Sequence, residues 1–438
     1  MQRTSCLGEF TKYTILNVLG MIGLSCYILA DTYFVALGLG ADGLAALNLA
    51  IPVYSFIHGS GLMLGMGGAT RYSILRSQQR EEESNRAYVH MMALGVLFAA
   101  VFLCLGIFAS KPLALLLGAE GAVFGMTETY LKVLLLFSPA FLLNDMTLCF
   151  VRNDNAPHLA MTAMLGGSIS NIILDYVFIF PMKMGIFGAV FATGLAPIIS
   201  LLILTPFFIR KKNHFHLRKC PVNTAMIRGI FAGGIPSLVT ELSSGIVMIV
   251  FNMIILNLEG NTGVAAYGVV ANISLVVIAV YTGIAQGVQP LFSRYYGMGE
   301  WKKISQNLKY AVVTVIMLSI AVYLVVFFGA GEIAGLFNHE GDPVLQKIAV
   351  GGMKIYFTGC LFAGLNIVMA IYFVATDYVK PANAISLLRG FLLILPLTFL
   401  MSAIWKMTGL WAAFPTTEFL VTCVGLVMLK RRKKKNFM

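Results

Sequence analysis

Residues 11–37 read TKYTILNVLGMIGLSCYILADTYFVAL: 27 residues that hold one acid, Asp31, and one base near their start, Lys12. A bilayer crossing needs about 20 predominantly apolar residues, so this stretch predicts a membrane span. A secretory signal has a shorter apolar core. After the turn-like GLGADG the pattern resumes at 44–70, and it recurs to the end of the chain. The other cores are 87–109, 131–151, 159–180, 187–209, 230–256, 264–292, 310–330, 350–375, 382–404 and 409–429. Twelve spans are predicted. Of 438 residues, 58% are hydrophobic and 11% charged, where a soluble domain carries about 25% charged residues. Soluble-enzyme and nucleic-acid-binding classes are excluded on that ground.

The net charge of +12 is explained by topology. Of the 31 Lys and Arg, two (Lys132 and Arg389) fall within spans, and five (Lys111, Lys183, Lys347, Lys354 and Lys406) fall on the side opposite the N-terminus. All others lie on the N-terminal side, including Arg71, Arg76, Arg80, Arg86 and the run KRRKKK at 430–435. Basic residues gather on the cytoplasmic side of membrane proteins, so both termini are expected there, with the tail beside anionic lipid. Of seven cysteines, Cys26, Cys104, Cys149, Cys360 and Cys423 lie inside apolar runs. No disulfide framework is expected.

The longest polar connection, RKKNHFHLRKCPVN at 210–223, falls near the midpoint, and the segments flanking it repeat. GADGLAA at 40–46 matches GNTGVAA at 260–266; Gly61 and Gly65 match Gly283 and Gly287; GIFGAVFAT at 185–193 matches GLWAAFPTT at 409–417. The offset stays between about 220 and 224 residues. The expected fold is therefore all-α and polytopic, with twelve transmembrane helices in two six-helix lobes. Each half has an even number of spans, so the lobes are expected to be related by a pseudo-two-fold along the membrane normal, with a substrate cavity between them. The expected domains are an N-terminal lobe at 1–209, a cytoplasmic linker at 210–229, and a C-terminal lobe with the basic tail at 230–438.

Within the spans the reading picks out Asp31, Lys132, Asp145, Asp175, Glu241 and Arg389. An intramembrane charge costs at least ~2.5–3.5 kcal/mol, so each is a functional candidate by default. Asp31 and Asp175 lie about six and five residues from the outer ends of spans one and five, or roughly 8–9 Å below that boundary. Asn171 is one turn from Asp175, and Thr193 reaches the same level in span six. Two carboxylates, an amide and a hydroxyl form an all-oxygen set for Na⁺, or an acid pair able to share a proton. The second half has no acidic pair, so an ion site is expected in the first half alone.

Glu241, near the middle of span seven, is either a cation-binding group or second protonation site of a substrate cavity, or a structural hydrogen-bonder to Ser243 or a neighbouring helix. Asp145 is expected in a structural pairing, with Arg152 two turns away. Arg389 has Asp377 as its nearest acid and reads as structural. His58 stands alone without metal-ligand spacing and reads as a packed or cavity histidine. The glycine-rich GSGLMLGMGG at 59–68 lacks a phosphate-loop ending and reads as a close helix contact.

Taken together, ADTYFVALGLGADGLAALNLAIPV at 30–53, SNIILDYVFIF at 170–180, GIFGAVFAT at 185–193, GIPSLVTELSSGIVMI at 234–249 and GIAQGVQPLFSRYYGMG at 283–299 carry a resemblance. In this order they resemble the multidrug and toxic compound extrusion (MATE) family, closest to its DinF-like and MepA-like prokaryotic branch. The resemblance spans essentially the whole chain. It implies a non-enzymatic transporter of the bacterial or archaeal cytoplasmic membrane, a monomer without nucleic-acid partner or cofactor. It would export amphipathic, cationic small molecules by antiport with H⁺ or Na⁺. The family's N-lobe cation site falls on Asp31, Asn171, Asp175 and Thr193, and Glu241 matches the span-seven acid of the NorM-like branch. Many relatives carry a proline in the first half of span one; here there is none, and Gly20 and Gly23 are left to supply flexibility. Two alternatives stand beside this reading. A lipid-linked oligosaccharide flippase of the same superfamily would need more intramembrane cations; a solute uptake carrier would not need acids confined to one lobe.

Overall fold

The computed structural model describes residues 5–338 and 341–436; the outermost residues of the expected halves, 1–4 and 437–438, lie outside them. Among the described residues the regular structure is helical throughout. The first half contains α1 (Cys6–Ser77), α2 (Glu81–Phe108), the short α3 (Ser110–Leu116), α4 (Gly121–Leu136), α5 (Ser138–Asn153), α6 (Pro157–Ile179) and α7 (Gly185–Ile209). The second half contains α8 (Thr224–Gly297), α9 (Trp301–Phe337), α10 (Pro343–Tyr356), α11 (Cys360–Ala375), α12 (Val379–Leu387) and α13 (Ile394–Asn436).

These helices make twelve spans, six in each half. The 72-residue α1 is two spans meeting at Gly40 (φ 68°, ψ −157°), and the 74-residue α8 is two meeting at Gly260 (φ 65°, ψ −156°). Only glycine enters this region without a steric penalty, so one residue reverses the chain within the turn-like GLGADG and again at its repeat. α4 and α5 form one span bent by 49°. Pro139, at the start of α5, has no N–H to continue the preceding helix. A 3₁₀ turn at Phe357–Gly359 joins α10 to α11. A π-helical turn, Leu388–Leu392, joins α12 to α13, which itself breaks at Lys406 (φ 51°).

The internal repeat extends to backbone geometry. Left-handed positions recur in pairs at the repeat offset: Gly40 with Gly260, Gln79 with Gly299, Gly121 with Gly341, Asn155 with Asp377, and Lys183 with Lys406. Three of the five pairs keep the residue as well, and two (Gln79 with Gly299, Asn155 with Asp377) change it while keeping the conformation, as expected when two copies of one scaffold diverge.

Packing divides the chain into two compact units. One comprises Ile15–Leu242 and Pro290–Trp301; the other comprises Met1–Thr14, Ser243–Gln289 and Lys302–Met438. These units follow contacts, whereas the halves 1–209 and 230–438 follow the repeat. Within the first unit the start of α8 lies against α1, because Gly67 and Gly234 have no Cβ. A methyl group at either would collide with the carbonyl oxygen of Ile230 or Met63. Gly20 and Gly23 are likewise contact positions, against Met164 and Leu165 of α6. Large apolar side chains such as Val96, Leu97 and Phe108 of α2 are exposed, as a lipid-facing surface requires.

The midpoint linker is strapped to the first unit. Phe215 is buried among the rings of Tyr72, Tyr88, Phe150 and Phe208. The His214 N–H donates to Asp154 (2.9 Å), the His216 N–H to Asn85 (2.7 Å) and the Asn223 N–H to His90 (2.9 Å).

Candidate functional site

Asp31 enters the site from α1, Asn171 and Asp175 from α6, and Thr193 from α7. All four are buried, Asn171 and Asp175 completely. The carboxyl groups of Asp31 and Asp175 meet one another. Two carboxylates cannot donate, so this contact is a hydrogen bond only when one carries a proton. Neither Asp175 oxygen, nor Oδ1 of Asp31, nor either polar atom of Asn171 has a hydrogen-bond partner among the described residues. Buried polar atoms are almost always satisfied; four of these five are acceptor oxygens, open to a donor or a cation, and the fifth is the Asn171 amide nitrogen, a donor. The Thr193 hydroxyl donates to the Ala189 carbonyl (3.1 Å), leaving its oxygen to accept.

Tyr130 of α4, which the sequence reading passed over, hydrogen-bonds Thr193 and lies within electrostatic reach of both acids. The reason is a boundary. Span four was expected to open at 131, but α4 begins at Gly121, which places Tyr130 nine residues into a helix and level with the acids.

Glu241 is not at the acid pair. It lies beside His58 and Asp145, where α1 and α8 approach through glycine: a Cβ at Gly59 would come within 3.1 Å of the Glu241 Cβ. His58 is not alone, and its partner is the group expected to pair with Arg152: His58 Nδ1 and Asp145 Oδ2 are 2.9 Å apart. Arg152 donates to Asn17 (3.0 Å) and to the Cys149 sulfur (3.8 Å). Tyr54 stacks on the His58 ring at 5.9 Å and shares a 2.7 Å hydroxyl contact with Tyr27. Lys132 is exposed.

In the second half Arg389 does not pair with Asp377. It donates to Glu418, a buried acid of α13 that the sequence reading passed over although it directly follows the repeat motif 409–417. Asn366 of α11 donates to Glu418 Oε2 (2.7 Å) and to its backbone oxygen (2.9 Å), and Thr422 donates to Asn366 (3.0 Å). Arg389 sits in the π-helical turn. The wider turn is an irregularity that often marks a specialised side-chain placement.

The MatE family model matches residues 18–177 and 236–400. The multidrug export protein MepA of Staphylococcus saprophyticus is 24% identical over 93% of this chain and 90% of its own length. MepA of Staphylococcus aureus strain MSSA476 is 24% identical over 92% and 89%. Among solved structures, a MATE protein in complex with MaL6 superposes with a TM-score of 0.93 at 22% identity, over 99% of this chain and 98% of that one. The outward-facing conformation of a multidrug resistance MATE transporter of the MOP superfamily superposes at 0.92 and 22%, over 99% and 97%. The family match takes in spans of both halves and most of the chain, which belongs to the MATE family of multi-pass membrane transporters.

Proposed function

We propose that this chain is a secondary efflux transporter that exports amphipathic, cationic small molecules in exchange for H⁺ or Na⁺. Its coupling ion binds at Asp31, Asn171, Asp175 and Thr193, with Tyr130 orienting Thr193. One observation carries the reading: two buried acids touch each other and have no donor or counter-ion among the described residues. Leaving both ionised and empty would cost several kcal/mol, so the pair is stable only when loaded, and loading from one side of a membrane is what coupling requires. Direct carboxyl-to-carboxyl contact favours a shared proton over a larger ion. The MepA relatives support export, and the distribution of Lys and Arg supports cytoplasmic termini. A diphosphate headgroup would need intramembrane cations, but Arg389 is neutralised by Glu418 and Lys132 is exposed, which weighs against the flippase reading.

One charge crossing 100 mV supplies ~2.3 kcal/mol, roughly a 50-fold gradient for a neutral substrate; a monovalent cation exchanged for one H⁺ moves no net charge and is driven by the concentration gradient of the ion alone. The test is counter-transport in proteoliposomes with a lipophilic cation such as ethidium, under an imposed proton gradient and then a sodium gradient. Transport driven by one gradient and lost in Asp175→Asn is the expected result. Movement independent of both gradients, or an Asp175→Asn protein as active as the wild type, would overturn the ion site.

A further inference from the structure

The first unit holds a second set of ionisable groups that the coupling site does not use. His58 and Asp145 form a close pair inside the membrane-spanning region, with Glu241 in electrostatic reach of both. The glycines of α1 make room for this set. A Cβ at Gly61 would lie 2.7 Å from Asp145 Oδ2, and one at Gly59 would press on Glu241. The stretch that reads as simple packing is therefore also what admits two carboxylates to the face of α1.

The groups between the two sets are polar and ordered in depth. Tyr27 is one turn before Asp31 on the first span of α1. Across a 2.7 Å contact is Tyr54, on the second span. That span runs back from the Gly40 reversal, so His58, one turn beyond Tyr54, lies further still from the level of Asp31. Tyr27 lies within electrostatic reach of Asp31, Asp175 and Asp145, and Tyr54 within reach of Asp145 and Glu241. Two helical turns thus carry the series about 11 Å, a third of a hydrocarbon core of ~30 Å. Each remaining gap is about one turn, a distance that a single bridging water spans. The other charged and titratable groups near Asp145 are Cys149, within electrostatic reach, and Arg152, which donates to Asn17 and to Cys149.

We propose that His58 and Asp145 are a second proton-binding station of the N-terminal half, reached from Asp31 and Asp175 through the hydroxyls of Tyr27 and Tyr54. It rests on the ion-site reading and specifies H⁺ as the ion. A proton leaving the acid pair is handed by the hydroxyls to the imidazole, which holds it beside Asp145 and Glu241. With the proton on His58 this cluster carries one net negative charge; when the proton leaves, it carries two and accepts a substrate cation more strongly. The second station makes release of the proton and loading of the cation one electrostatic event.

The experiment uses the full chain in proteoliposomes with a pH dye inside and ethidium as the probe. It measures protons moved per ethidium and the pH profile of proton-driven transport. Tyr54→Phe removes one hydroxyl and keeps the ring; His58→Gln keeps a donor for Asp145. Ethidium–ethidium exchange without an ion gradient reads whether each variant is folded. Tyr54→Phe is expected to keep exchange and lose proton-driven transport; His58→Gln is expected to lose proton-driven transport and the limb of the pH profile that His58 supplies. If His58→Gln loses exchange as well, Tyr54→Phe alone decides. Wild-type proton ratios and pH profiles in the folded variants overturn the relay. If Asp175→Asn is inactive in that case, the acid pair still stands as the ion site. Sodium-driven transport without proton movement also overturns the relay and leaves the pair intact, whereas an active Asp175→Asn protein removes both.

Discussion

Glu418 and Asp175 are both enclosed acids in spans of a duplicated scaffold, yet their surroundings are opposite. Glu418 has a guanidinium on one oxygen and the Asn366 amide on the other, with Thr422 fixing that amide in turn. Asp175 has no donor on either oxygen among the described residues, and its neighbour is a second acid. The backbones around them repeat closely, down to paired left-handed residues such as Gly40 and Gly260. Duplication therefore supplied the framework, and side-chain divergence left Glu418 electrostatically closed and Asp175 open. A closed acid carries its own cation permanently. On the proposed reading an open one takes up the coupling ion, and taking it up from alternate sides of a membrane is transport.

The largest effect should come from closing the open acid. Asp175→Asn replaces an acid that needs a partner with a neutral amide of the same shape. Gradient-driven ethidium export is expected to disappear while the thermal midpoint of the purified protein stays level or rises, since an unsatisfied buried charge is removed. A fall in the midpoint comparable to the loss of function would mean that Asp175 is structural.

Opening the closed acid gives the reverse pattern. Arg389→Met strands Glu418 in the interior, and breaking a buried pair from one side costs about 3–5 kcal/mol. Arg389→Met combined with Glu418→Gln should recover most of that loss, because no charge is then left unpaired. The measurement is thermal unfolding in detergent across the double-mutant cycle. Equal destabilisation of the single and double variants would show that the pair contributes shape, with little coupling between its charges.

The linker offers an intermediate test within the first unit. Phe215→Ala empties an aromatic pocket, and such truncations cost about 3–5 kcal/mol in a well-packed core. The pocket lies at the surface end of the helices, so the lower figure is expected, read as a lower midpoint and faster proteolytic cleavage within 210–223. Unchanged cleavage would mean that the backbone bonds of His214, His216 and Asn223 hold the strap without the ring.

How much of this contrast is legible in the sequence depends on range. Hydropathy and the repeat offset are read along the chain, so the twelve spans and the depth of Asp31, Asn171, Asp175 and Thr193 follow from counting residues. Partners across helices depend on how each helix is rotated, which a count along one chain does not fix. His58 with Asp145 and Arg389 with Glu418 are pairs of this kind, 87 and 29 residues apart. Tyr130 was hidden by an edge: the polar residues before 131 mask the start of α4, and the phenol then falls outside the span that holds it. The single-residue reversals were hidden by glycine's ordinary reputation as a loop residue, since a glycine-flanked gap predicts a loop as readily as a kink.

The smallest predicted effect tests whether the scaffold itself is equivalent in the two halves. Gly40 and Gly260 have nearly the same φ and ψ, and a Cβ at either would meet nothing within 4 Å. Alanine at each position therefore meets no steric clash with a neighbour, only the cost of holding an L-residue in a backbone region essentially restricted to glycine, roughly 1–3 kcal/mol. Because the two backbones match, Gly40→Ala and Gly260→Ala should lower the thermal midpoint by similar amounts. Transport separates the two sites where stability does not. Gly40 is the reversal that sets Tyr27 against Tyr54, nine residues from Asp31 in the first half, and Gly260 has no acid pair in its half. Gly40→Ala should slow proton-driven export more than Gly260→Ala at matched stability. Equal slowing would mean that both reversals serve the framework alone and that the functional asymmetry begins only at the acid side chains.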